Sequence, residues 1–166
     1  MSVRVPPAVA AAAADLGLGH PGRRFHGAVP LHTYYGVVLF AAFLFCVIVG
    51  APWPLFTVLG LAGGAFLGYA IATRVNTAVY LYEGGFVQVG PNRKVRAAAR
   101  WAEVTNVGTG HYAVSTGGPS VHHVTYTVRL TGNRTAEFRN QYLRDSDELY
   151  DAIVDAVREY RRRSST

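Results

Sequence analysis

The chain has 166 residues, 16 basic and 10 acidic, and a formal net charge of +6 at pH 7. With 50% hydrophobic and 12% aromatic residues it can bury surface, which excludes intrinsic disorder for most of its length. The single cysteine, Cys46, excludes a disulfide scaffold. The 16% charged fraction falls below the roughly 25% usual for soluble domains. The shortfall is local: 49 consecutive residues, Phe25 to Thr73, contain no Asp, Glu, Lys or Arg.

Residues 1–30 read as an Ala-rich N-terminal arm. Pro6-Pro7 suit a first helical turn, Ala8 to Ala14 favour a short helix, and Gly17 or Gly19 would end it. The alanine run with two prolines fits a signal peptide poorly, so the arm is expected to be retained.

Residues 31–73 form the uncharged block, with apolar runs at 31–50 and 55–73. As helices each would span roughly 28 to 30 Å, the thickness of a bilayer's hydrocarbon core. Pro52 and Pro54 force a turn between them, and Tyr34, Tyr35 and Trp53 fall near the expected interfaces. The sequence therefore predicts a two-helix transmembrane hairpin. Arg23, Arg24 and Arg74 flank it, which by the positive-inside rule places both termini in the cytoplasm of a multi-pass inner-membrane protein. Gly60, Gly64 and Gly68 recur every fourth residue on the second helix and let another backbone approach closely. That ridge would serve either a homo-oligomer or packing against the first helix, at Gly36, Ala41 or Ala42.

From residue 74 to 166 the period changes to two. Val79–Tyr82 and Phe86–Val89 flank Gly84-Gly85, predicting a hairpin that pairs Tyr82 with Val87 and Tyr80 with Val89. A strand over 94–101 is expected to point Val95, Ala97, Ala99 and Trp101 one way, and Lys94, Arg96 and Arg100 the other. Glu103 to Val107 would begin a fourth strand, and Gly108 to Ser120 a loop or long hairpin tip. Strands over 123–130 and 135–139 would pair Leu130 with Ala136, Val128 with Phe138 and Arg129 with Glu137, around Gly132-Asn133-Arg134. Ser146 should N-cap a final amphipathic helix, 146–163, whose Leu149, Ile153, Val154, Val157 and Tyr160 form one stripe. The expected class is an α+β membrane protein. The transmembrane hairpin precedes a small antiparallel sheet or partly open barrel capped by the C-terminal helix.

Several short motifs sharpen this. Leu16-Gly17, the hairpin, residues 79–87 (VYLYEGGFV), 100–104 (RWAEV), 126–130 (YTVRL) and Phe138-Arg139 resemble bacterial membrane proteins with a pleckstrin-homology-like domain. More closely, the chain is similar to an uncharacterised actinobacterial family of two-helix membrane proteins. The resemblance implies a fold and a membrane location, with no activity and no catalytic residues.

Chemistry is sparse. His122 and His123 are adjacent on a strand and point to opposite faces, so they cannot share a metal; His111 would need its loop to fold back. Cys46 has no activating neighbour in sequence. No G-x-S-x-G, Walker A, H-E-x-x-H or dinucleotide fingerprint is present, so neither enzyme activity nor a cofactor or metal is expected. Arg93, Lys94, Arg96 and Arg100 lie within eight residues and form the candidate anion site, for lipid headgroups or an acidic protein partner. Nucleic acid is not expected, because no helix or aromatic platform interleaves these cations. The expected function is a non-enzymatic, membrane-anchored interaction module. Its alternatives are a structural oligomer built on the glycine ridge and, remotely, a hydrolase or metal enzyme using His111, His122 and Glu103.

Overall fold

The computed structural model describes residues 4–28, 35–38, 40–41, 43–44, 54–114, 121–139 and 143–165. Helix α1 (Pro7–Asp15) leads into strand β1 (Pro21–His26), and helix α2 (Pro54–Asn76) precedes strands β2 (Ala78–Tyr82), β3 (Gly85–Val89) and β4 (Val95–Arg100). A single 3-10 turn, Trp101–Glu103, leads to β5 (Val104–Val114) and β6 (Val121–Leu130); then come β7 (Thr135–Arg139) and helix α3 (Ser146–Ser164). The strands form two antiparallel sheets, β1-β2-β3-β4 and β5-β6-β7. The architecture is α+β with two distinct sheets, which replaces the expected single sheet or barrel behind a membrane hairpin.

Every residue of β2 and β3 is buried, so this hairpin is covered on both faces. On the front, Val79, Leu81 and Phe86 join Val128, Phe138 and the α3 stripe Leu149, Ile153 and Val157 in the main core. Phe86 meets Phe138 edge-on at 5.8 Å and Trp101 at the same distance. On the back, Tyr80, Tyr82, Val87 and Val89 pack under Val9, Ala13 and Leu18 from the N-terminal segment. The Ala-rich segment is thus part of the folded unit. Its helix ends in a Schellman motif: Gly17 sits at φ +60°, Leu18 N–H donates to Ala13 O and Gly17 N–H to Ala14 O, both at 2.9 Å.

Two hairpin registers differ from expectation by two residues. Tyr82 pairs with Gly85 and Tyr80 with Val87, so the turn is Glu83-Gly84. The second glycine lies in β3, where a Cβ would come within 2.1 Å of the Ala99 carbonyl oxygen: it is required by the approach of β4. Likewise Val128 pairs with Ala136, Tyr126 with Phe138 and Arg129 with Thr135 around the turn Thr131–Asn133. Glu137 therefore faces Thr127, and the expected Arg129–Glu137 pair is not formed. Of the two expectations for 108–120, a loop or a long hairpin tip, the second fits: β5 continues to Val114 and pairs with β6 as far as Val121, while residues 115–120 lie outside the described residues.

The membrane reading is corrected. Among the described residues, no helix is long and apolar enough to cross a membrane. The first expected span lies largely outside the described residues. The second, expected at 55–73, continues as α2 to Asn76, and its Phe66, Tyr69 and Ala70 share a cleft with Arg96, Glu137 and Arg139. The inner-membrane, two-span location accordingly loses its basis.

Helix α3 begins at Ser146, the first residue of the expected helix, so its cap falls one residue before the expected one. Its N-cap is Asp145, at φ +57° with no side-chain capping bond, and Ser146 is buried. Its first turn is held instead by the Tyr126 hydroxyl, which donates to Asp147 Oδ1, while the Tyr126 ring lies 5.0 Å from that of Tyr150. At the other end Arg161 donates to the carbonyls of Val104 and Thr105 at 3.2 and 3.1 Å. Burial first, and then the hydrogen bond to Asp147, push the Tyr126 hydroxyl from 10.0 up to about 12.

Two outcomes follow from these contacts. Gly85→Ala should cost about 3 kcal/mol or more, since backbone rather than a mobile side chain must give way; urea unfolding of the full chain measures it. The raised Tyr126 value means that its stabilising contribution is complete below pH 10 and is lost as pH rises towards about 12. Tyr126→Phe should flatten that alkaline loss and remove the last phenolate transition seen in ultraviolet titration.

Candidate functional site

A cleft of about 500 Å³ opens where the two sheets diverge, walled by α2 on one side, the end of β3 with its turn on another, and β7 on the third. Its polar groups are Gln88, Arg96, Glu137 and Arg139, and its aromatic ones include Phe66 and Tyr69. A second, more open hollow of about 520 Å³ adjoins it and is lined by Tyr69, Pro91, Asn92, Lys94 and Arg96.

The cleft exists because of two local departures from regular strand geometry. Gln88 is a buried polar residue whose Nε2 donates to the backbone carbonyl of Glu137 at 2.9 Å. That bond satisfies an amide which would otherwise be costly to bury, and it pins β7 beside β3. The second departure is a bulge: Gln88 pairs with Ala97, but Val89 pairs with Val95, leaving Arg96 as the extra residue of β4. Beyond the bulge the faces exchange. Val95 packs with Ala98 on the back, while Ala97 and Ala99 pack on the front, so the expected alternation over 94–101 holds only from residue 97 onward.

The four cations of the candidate site are thereby separated. Arg93, at φ +61°, donates through Nε to Asn76 Oδ1 at 2.9 Å and braces the β3–β4 turn against the end of α2. Arg100 donates through Nε to the Leu16 carbonyl at 2.6 Å, at the far end of β4, where it satisfies the C-terminus of α1. Arg96 and Lys94 remain at the cleft, both exposed, and among the described residues neither side chain has a hydrogen bond or ion pair. Arg139 adds a third cation, loosely paired with Glu137 at 3.7 Å.

The glycine ridge has a neighbour within the chain. A Cβ at Gly64 would meet the Phe40 ring at 2.6 Å, and one at Gly63 would meet the same ring at 3.5 Å, so this part of α2 packs on the preceding helical segment. Among the described residues nothing lies within 4 Å of a Cβ at Gly68, and the surroundings of Gly60 lie outside the described residues.

Sequence reasoning overlooked Phe66, Tyr69, Glu137 and Arg139. The signal available was the two-residue spacing of Glu137 and Arg139, which puts both on the solvent side of β7 once Phe138 is assigned to the core. It also treated Arg24 only as a flanking charge. Arg24 lies on β1 with its guanidinium 5.2 Å from the centre of the Tyr80 ring, and its Nε is buried without a hydrogen-bond partner among the described residues. Burial, and secondarily the Arg24 charge, lower the pKa of His26 from 6.5.

Among the described residues, no three His, Cys, Asp or Glu side chains are grouped to hold a metal. His111 pairs with Val124 in the β5–β6 ladder, within a strand rather than a folded-back loop. No family model, curated protein or solved structure matches the chain.

The division of the cations has a direct consequence. Arg100→Ala should lower stability by about 1 kcal/mol by uncapping α1, with faster amide exchange confined to residues 7–18. It should leave the occupancy of the cleft by any anion unchanged.

Proposed function

We propose that the protein is a non-enzymatic interaction module whose cleft, at Arg96, docks an acidic segment of a protein partner. The observation that carries this is the guanidinium of Arg96, without a partner among the described residues, held at a β-bulge beside Lys94 and Arg139 and sharing the cleft with Phe66 and Tyr69, which are 73% and 70% exposed. Unpaired cations supply attraction and orientation for a carboxylate. Exposed aromatic rings beside an arginine supply the apolar contact typical of the centre of a protein interface. Glu137 contributes the opposite sign within the same cleft, so an extended segment that places its acids at Arg96 and Lys94 fits better than a uniformly charged surface. The net charge of +6 speeds encounter with such a partner.

The experiment uses the full chain and a fluorescein-labelled glutamate-rich peptide containing one phenylalanine, followed by anisotropy. Binding should weaken with salt, and Arg96→Glu should reduce it by about tenfold or more. Arg100→Glu, at the remote end of β4, should have little effect on peptide affinity. Peptide binding insensitive to Arg96→Glu would refute the reading. So would binding only to phosphatidylserine vesicles, which would assign the cations to a lipid headgroup.

A further inference from the structure

We infer that the outer edge of β5 is a self-association surface, on which a second copy of the chain pairs antiparallel about Thr109. The order β5-β6-β7 makes β5 an edge of its sheet, and among the described residues no strand pairs with its outer side. It runs eleven residues, Val104–Val114, as VTNVGTGHYAV, with no charged residue and no proline. Exposed edges of that length are ordinarily blunted by Lys, Pro, bulges or a covering element, because a bare row of N–H and C=O groups recruits another strand. Here blunting is confined to the first two residues. The register shifts between Val104 and Asn106, and Arg161 occupies the carbonyls of Val104 and Thr105. Among the described residues the edge is open from Asn106 to His111: Asn106, Thr109, Gly110 and His111 are exposed, and Val107 and Gly108 are half-buried.

The sequence of the open stretch favours a second copy as the occupant. Thr109 is flanked by Gly108 and Gly110, so the centre of the open stretch is the same read in either direction. A two-fold axis there sets Gly108 opposite Gly110 of the second copy, Val107 opposite its His111 and Asn106 opposite its Tyr112. No fixed like charges meet, although each copy is net positive overall, and the glycine pairs place no side chain in the way. The seven residues from Asn106 to Tyr112 match the usual strand length of about 5–6 residues. Pairing would join the two three-stranded sheets into one of six, with both edges of the new sheet formed by β7. The Arg96 cleft borders β7, so dimer formation leaves it accessible.

The test is sedimentation velocity of the full chain over a concentration series. Wild type should dimerise. Thr109→Lys and Thr109→Glu, which each set like charges across the axis, should each weaken the dimer by about tenfold or more. An equimolar mixture of the two variants should recover it, which also shows that both fold. In a Cys46→Ser background, Thr109→Cys should oxidise to a linked dimer, since directly opposed antiparallel residues lie within disulfide reach. A chain that stays monomeric, or an association that neither charge moves and Thr109→Cys does not trap, overturns the inference.

Discussion

Burial of the β2–β3 hairpin on both faces is the constraint from which the remaining architecture follows. A hairpin exposed on one side needs a single cover and reads as alternating apolar and polar residues. This one presents Val79, Leu81 and Phe86 forward and Tyr80, Tyr82, Val87 and Val89 backward, so it needs two. The second sheet and α3 supply the front cover. The back cover comes from α1 and Leu18, and this is why the N-terminal segment is locked by a Schellman motif, by Gly84 N–H donating to Leu18 O at 2.9 Å, and by Arg100. Each of these bonds satisfies a backbone group that would otherwise be stranded at the end of a short helix. An arm that looked dispensable in composition is half of a core.

The same constraint generates the cleft. Strand β3 is buried along its whole length, so its one polar residue, Gln88, must find a partner inside. It finds the Glu137 carbonyl, and that choice brings β7 alongside with Glu137 and Arg139 on its solvent face. Directly across, β4 bulges at Arg96, which interrupts the regular alternation of its side chains. A satisfied buried amide and an unsatisfied exposed guanidinium are thus two products of one junction, since the first fixes the strands whose divergence exposes the second.

Much of the fold was legible because hydrophobic alternation reports faces reliably. Its two register errors share one physical cause. Both mispredicted hairpins slipped by two residues, and a slip of two leaves every side chain on its original face. The pattern of Tyr80, Tyr82, Val87 and Val89 is satisfied by either register; only the close approach of β4 at Gly85 and the closure of Leu130 N–H on Arg134 O, at 2.8 Å, distinguish them. Strand β1 was invisible for a different reason: Pro21 to His26 has one buried apolar side chain, Phe25, and is held by pairing with β2. The apolar run of α2 misled because composition reports what a helix carries and not what it docks against. The cleft it lines with Arg96, Glu137 and Arg139 is made by residues distant in sequence, and no window along the chain contains both sides.

The basic strand shows how far a charge cluster in sequence can differ from a charge cluster in space. Four cations within eight residues suggest a patch of four. Two of them spend their hydrogen-bonding capacity on structure, Arg93 on Asn76 and Arg100 on Leu16, at opposite ends of β4. A guanidinium that caps a helix keeps its charge, but its geometry is committed, so it attracts an anion without being able to grip one. The gripping capacity that remains is Arg96 with Lys94, and β7 restores a third cation, Arg139, that sequence proximity would never have assigned to the group. Recognition here therefore rests on the juxtaposition of β4 with β7. The bond from Gln88 to Glu137, rather than the local density of arginine, fixes where the available charge lies.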